Sequence, residues 1–77
     1  MEKKVVEFVV RQLVEHPSSV RIVEAKDDKT LVLSIHVHEQ DLGKVIGKGG
    51  ETIRAIRSLV NAIKTDTQKD VVVDIIK

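Results

Sequence analysis

The chain of 77 residues contains no cysteine. It can form no disulfide and no thiolate metal site. It has no tryptophan, no tyrosine and a single phenylalanine, Phe8. Nucleic-acid modules of the RRM and OB types stack bases on aromatic rings, and this chain has almost none to offer. No apolar run approaches the roughly 20 residues that span a bilayer as a helix. Met1-Glu2-Lys3-Lys4 leads at once into charged residues within an amphipathic repeat, without the apolar stretch of a signal peptide. A soluble cytoplasmic protein is expected. An excess of one charge is missing too: 13 basic side chains face 12 acidic ones, for a net charge of +1. Bulk charge therefore does not argue for a nucleic-acid partner.

What is present is an apolar share of 42%, mostly Val, Ile and Leu, as in a folded domain and unlike a disordered chain. The length predicts one domain over residues 1–77 with a small core. The charge is unevenly placed. Residues 43–64 carry Lys44, Lys48, Arg54, Arg57 and Lys64 against Glu51 alone, while the remainder carries 8 basic and 11 acidic residues. Such gathering is an electrostatic footprint for an anionic partner; the competing reading is a solvated helix face.

All four glycines lie between Gly43 and Gly50. The stretch Val45-Ile46-Gly47-Lys48-Gly49-Gly50-Glu51-Thr52-Ile53 is an apolar pair, a glycine loop and the start of a helix. Glycine permits positive φ and close approach of another backbone. The loop delivers the chain to a helix N-terminus, where free N–H groups and the dipole favour phosphate. Lys48 adds a cation at the tip. Beyond it, Ile53, Ile56, Leu59, Val60 and Ile63 recur at helical spacing, with Arg54, Arg57, Asn61 and Lys64 on the opposite face. A plain helical connection needs about one glycine as a cap; three in four positions exceed that need.

The rest of the chain reads as follows. Residues 2–15 form a helix, with Val5, Val6, Val9, Val10 and Leu13 on one arc. Phe8 sits at the edge of the polar arc, either as a lid over the core margin or as a contact with a second subunit. His16-Pro17-Ser18-Ser19 ends the helix. Residues 20–25 form a strand, 26–29 a polar turn and 30–38 a second strand, its Leu31, Leu33, Ile35 and Val37 facing inward. His36 and His38 share a strand face. With His16 the only other histidine and nothing to bring it near, they read as half-exposed sheet residues rather than as metal ligands. Residues 39–46 form a short helix, 51–65 a long one, 66–70 a polar connection and 71–76 a last strand, with Val73 and Ile75 facing the helices.

Ile46-Gly47-Lys48-Gly49-Gly50-Glu51-Thr52-Ile53 resembles the I-G-x-x-G-x-x-I signature of KH domains at every defined position. The order helix–strand–strand–helix–GxxG–helix–strand resembles the type II arrangement: an α+β fold with a three-stranded sheet covered on one face by three helices. With nothing beyond one such unit, the chain is similar to the small stand-alone bacterial KH proteins of the KhpA kind. That resemblance implies a single-stranded RNA ligand, with single-stranded DNA left open, gripped by Gly47, Lys48, Gly49 and Gly50. It places Val45, Ile46 and Ile53 on an apolar floor under the bases, and Arg54, then Lys44 and Arg57, beside the ligand. It implies an RNA chaperone and post-transcriptional regulator tied to cell elongation, cell shape and cell wall biogenesis. It also implies pairing as a homodimer or with a larger KH protein.

Two other classes compete. A nucleotide-using enzyme would need a P-loop or a Rossmann glycine pattern, and neither is present; no nucleophile–base pair stands out. No enzyme activity, cofactor or metal is expected. The other competitor is a protein-interaction or dimerisation module in which RNA binding is secondary, with Phe8, Val72 and Ile76 as its apolar surface.

Overall fold

The structure, a computed structural model, describes residues 2–64 and 69–76. The chain runs α1 (Glu2–Leu13), β1 (Arg21–Lys26), β2 (Thr30–His36), α2 (Leu42–Ile46), α3 (Glu51–Ile63) and β3 (Asp70–Ile76). Short 3-10 turns at Pro17–Ser19, Glu39–Asp41 and Lys48–Gly50 join them. The sheet has the order β1-β2-β3. β1 and β2 form an antiparallel hairpin, and β3 lies parallel to β2 on its other side. This is the expected α+β arrangement with one face of the sheet covered.

The core follows from the two side-chain periods. Leu31, Leu33 and Ile35 of β2, Ile22 of β1 and Val73 of β3 point to the same face. Val6 and Val10 of α1, Val45 of α2 and Ile53, Ile56 and Val60 of α3 pack onto them. The hairpin turn is held by Asp27, whose side chain accepts from the N–H groups of Lys29 and Thr30 at 2.8 Å each. Those two bonds hold the Asp27 carboxyl below its ordinary value.

Several expected boundaries move. The first helix stops at Leu13 rather than at residue 15. The N–H groups of Glu15 and His16 donate instead to the Asp41 carboxylate, at 3.1 and 3.0 Å. The first strand covers 21–26 rather than 20–25, since Val20 closes the preceding turn by donating to the Pro17 carbonyl. The second strand ends at His36, not His38. His38 caps the next turn, its Nδ1 accepting from the Gln40 N–H. Its ring also stacks on His16, with centroids 4.1 Å apart, so tertiary folding joins histidines that the sequence leaves apart. Leu59 lies at the rim of the core, 38% exposed. Phe8 is 66% exposed, too open for a lid over the core margin. The third helix ends at Ile63, and residues 65–68 of the expected helix end and polar connection lie outside the described residues.

Candidate nucleic-acid interface

The loop is built by its glycines. Gly47, Gly49 and Gly50 all have positive φ, at 77°, 63° and 78°; Gly43 does not share this and sits inside α2. At Gly47 the restriction is also steric. A Cβ there would lie 2.8 Å from the Thr52 backbone nitrogen and would collide with the Thr52 side chain. Gly49 meets nothing within 4 Å, so the tip is open. Two backbone bonds fix the base of the loop: Gly47 N–H to the Gly43 carbonyl at 2.9 Å and Gly50 N–H to the Gly47 carbonyl at 3.1 Å. No side chain caps the start of α3. The Glu51 N–H is taken by the Lys48 carbonyl, and the helix dipole favours negative charge at this end.

The five cations of this region divide by environment. Lys48 is exposed at the tip and Arg54 on α3 is exposed beside the last loop glycine. Among the described residues neither has an ion-pair partner. Arg57 reaches from α3 to β3, its Nε donating to the Val73 carbonyl at 3.1 Å. Lys64 donates to the Lys69 carbonyl at 3.2 Å. Lys44 forms an ion pair with Glu15 at 2.8 Å and lies 3.8 Å from Asp41. Its bond is the main reason the Glu15 carboxyl is held below its ordinary value. The structure therefore separates Lys44 from the free cations at the loop.

The apolar positions divide too. Ile46 is half-buried beside the loop. Ile53 is 7% exposed, and Val45 is wholly enclosed at 0%. Val45 offers no surface to a ligand; it supports the loop from within the core.

Sequence reasoning missed Asp41, a fully buried carboxylate. It accepts from the Glu15 and His16 N–H groups and from His16 Nδ1 at 3.1 Å. Burial alone would raise its carboxyl, but the Glu15 N–H, the His16 ring and the His16 N–H together hold it below its ordinary value. The residue ties the end of α1 to the start of α2, and so sets where the loop leaves the core. An acid just before Leu42 is visible in the sequence as a helix-start residue; its partners 25 and 26 positions earlier are not.

A parallel β2–β3 pair crossed by two helices around a GxxG loop defines a KH domain of type II. A family model described as KhpA/KhpB, KH domain, matches residues 3–75. The chain belongs to that family. It is 45% identical over 74 residues to the RNA-binding protein KhpA of Halalkalibacterium halodurans, covering 96% of this chain and 97% of the relative. It is 39% identical to the RNA-binding protein KhpA of Aquifex aeolicus, over 97% of this chain and 95% of that one. To the RNA-binding protein KhpA of Thermotoga maritima it is 33% identical, over 97% of this chain and 99% of that one. The family is one of binding proteins and not of enzymes.

Proposed function

We propose that this protein binds single-stranded RNA across the Gly47–Gly50 loop, holding the backbone of about four nucleotides. The observation that carries this reading is the loop itself. Three positive-φ glycines expose the main chain at a helix start without a side-chain cap, with Lys48 and Arg54 beside it and without an ion-pair partner among the described residues. A phosphate seated there meets backbone N–H groups, the helix dipole and two cations together. Ile46 forms the accessible part of the apolar floor, backed by Ile53 and, from inside, by Val45. Arg54 takes a phosphate, Arg57 lies further along α3 toward β3, and Lys44, paired with Glu15, stands back from the ligand. The names of the relatives support RNA as the ligand. The cellular role we propose, carried over from the family resemblance, is an RNA chaperone and regulator in the cytoplasm, linked to cell elongation and envelope homeostasis.

The test is a titration of short single-stranded RNA pools with the wild type and with Lys48→Asp/Gly49→Asp. The open space at Gly49 and the tolerance of Asp for left-handed backbone keep the variant folded, which circular dichroism checks. Loss of binding in a folded variant upholds the clamp. Equal binding by both proteins removes it.

A second reading, self-association or pairing with a larger KH protein, has its own observation. Val9 and Leu13 of α1 and Ala55, Ile56 and Leu59 of α3 line an apolar groove. Leu13 and Leu59 are each 38% exposed there. Pairing two units raises avidity without new contacts. Sedimentation of the wild type and of Leu59→Asp separates the readings, since a mass that falls only in the variant assigns this groove to pairing.

A further inference from the structure

We propose that His16 and His38 form a proton-operated latch at the joint between α1 and α2. The latch is closed while His38 is neutral, opens when His38 takes up a proton, and shifts the glycine loop as it opens. The two rings are stacked, with centroids 4.1 Å apart and planes inclined by 15°. Each has its Nδ1 engaged, in opposite senses. His16 Nδ1 lies 3.1 Å from Asp41 Oδ2. An ionised carboxylate only accepts, so this nitrogen carries a hydrogen. His38 Nδ1 accepts from the Gln40 N–H at 3.1 Å. This nitrogen therefore carries none, and the hydrogen bonding assigns the ring's single hydrogen to Nε2.

That asymmetry decides what an added proton does. On His16 it goes to Nε2 and leaves the Asp41 bond in place, now between opposite charges. On His38 it goes to Nδ1 and removes the acceptor that holds the Gln40 N–H. Cap and proton exclude each other at that atom. A cation on His38 is also badly placed. Among the described residues its ring has no carboxylate partner, whereas His16 has Asp41. With both rings charged, the stack sets like charges face to face. The other titratable and charged groups on the elements that meet here are Glu15, His36, Glu39 and Lys44. Lys44 pairs with Glu15 at 2.8 Å and lies 3.8 Å from Asp41, so both acids already have a cation beside them. Glu39 is exposed. His36 stands opposite Arg21 on the uncovered face of the sheet.

The cap opens the Glu39–Asp41 turn, and the His38 carbonyl accepts the Asp41 N–H at 2.8 Å. Asp41 binds the end of α1 and leads directly into α2. That helix has five residues and ends on Gly47. A turn that loosens at one end of so short a helix moves the loop at the other. Imidazoles change charge between about pH 5 and pH 8. Asp41, Glu15 and Asp27 are held below their ordinary values of 3.8, 4.5 and 3.8, so they stay ionised throughout that window.

The experiment compares the wild type with His38→Asn by NMR and thermal melting at about pH 7.5 and about pH 5.5. Asparagine supplies a capping oxygen that does not titrate. In the wild type, amide protection at Gln40 should fall by about 2- to 30-fold on acidification, the weight of one cap. The amide signals of Gly47, Gly49 and Gly50 should move with it. In His38→Asn both changes should disappear, and its melting temperature should drop by less between the two pH values. His16 and His36 are common to both proteins and cancel from the comparison. Wild-type protection that holds at the lower pH overturns the latch without recourse to a variant. So does an acid response of equal size in His38→Asn. Opening at Gln40 with still glycine signals overturns the transmission to the loop. None of these outcomes depends on what the loop binds.

Discussion

Gly47 is the residue at which the loop tolerates least. Its φ of 77° disfavours any side chain, and Thr52 closes the space a Cβ would need. Gly47→Ala should destabilise the domain by about 1–3 kcal/mol and misplace the start of α3. Gly49→Ala, with a similar φ but open surroundings, should cost about 1 kcal/mol. Urea denaturation of the two variants checks the difference, and equal losses would remove Thr52 as its cause. The sequence made the loop legible through its glycine spacing. It could not say which glycine is sterically locked, because that depends on a side chain five positions later folding back across a tight turn.

At the scale of elements, the joint that matters is between α1 and α2, and Asp41 makes it. The Asp41 carboxyl is held below its ordinary value of 3.8, so the fold binds the ionised form. Its contribution is complete above about pH 4 and is lost as pH falls through the depressed folded value. Asp41→Asn should lower the melting temperature at neutral pH and make the fall in stability below pH ~4 shallower. The slope should not vanish, since Glu15 and Asp27 are also held low and act with the same sign. Thermal melts of both proteins from neutral to acid pH test this; parallel curves would remove Asp41 as the acid-sensitive group. This joint also explains which element ends were legible. Helix and strand interiors follow hydrophobic period and are legible from it. The end at Leu13 is set by Asp41, a partner 25 and 26 positions from the groups it binds, and the end at His36 by the His38 cap, a histidine acceptor in place of the usual capping residues.

Across the whole molecule, the balance of charge conceals a local field. Sequence counting treats Lys44, Lys48, Arg54, Arg57 and Lys64 as one patch. Folding divides them, because Lys44 spends its charge on Glu15 while Lys48 has no ion-pair partner among the described residues. Single-strand binding weakens with salt by a log–log slope of about −0.7 per phosphate neutralised. Lys48→Ala should therefore flatten that slope by about 0.7, and Lys44→Ala should leave it nearly unchanged. Anisotropy titrations across a range of salt concentrations make the comparison. Equal flattening in both variants would mean that the field acts in bulk and that the ion pair is irrelevant to it.

The parallel pairing of β2 with β3 has a consequence for folding and binding together. It joins Thr30 to Asp70, forty positions apart, whereas the hairpin closes through a short turn. Long-range closure comes late and slowly in folding, because chain entropy must be lost before the contact is gained. The loop lies inside that crossover, carried by helices of 5 and 13 residues. Helices this short are marginal by themselves in water. The grip therefore takes shape only when the sheet closes, and a chain with β3 undocked carries the glycines without the clamp. A ligand of the loop senses global folding, and by linkage it must also raise the domain's stability as its concentration passes its dissociation constant.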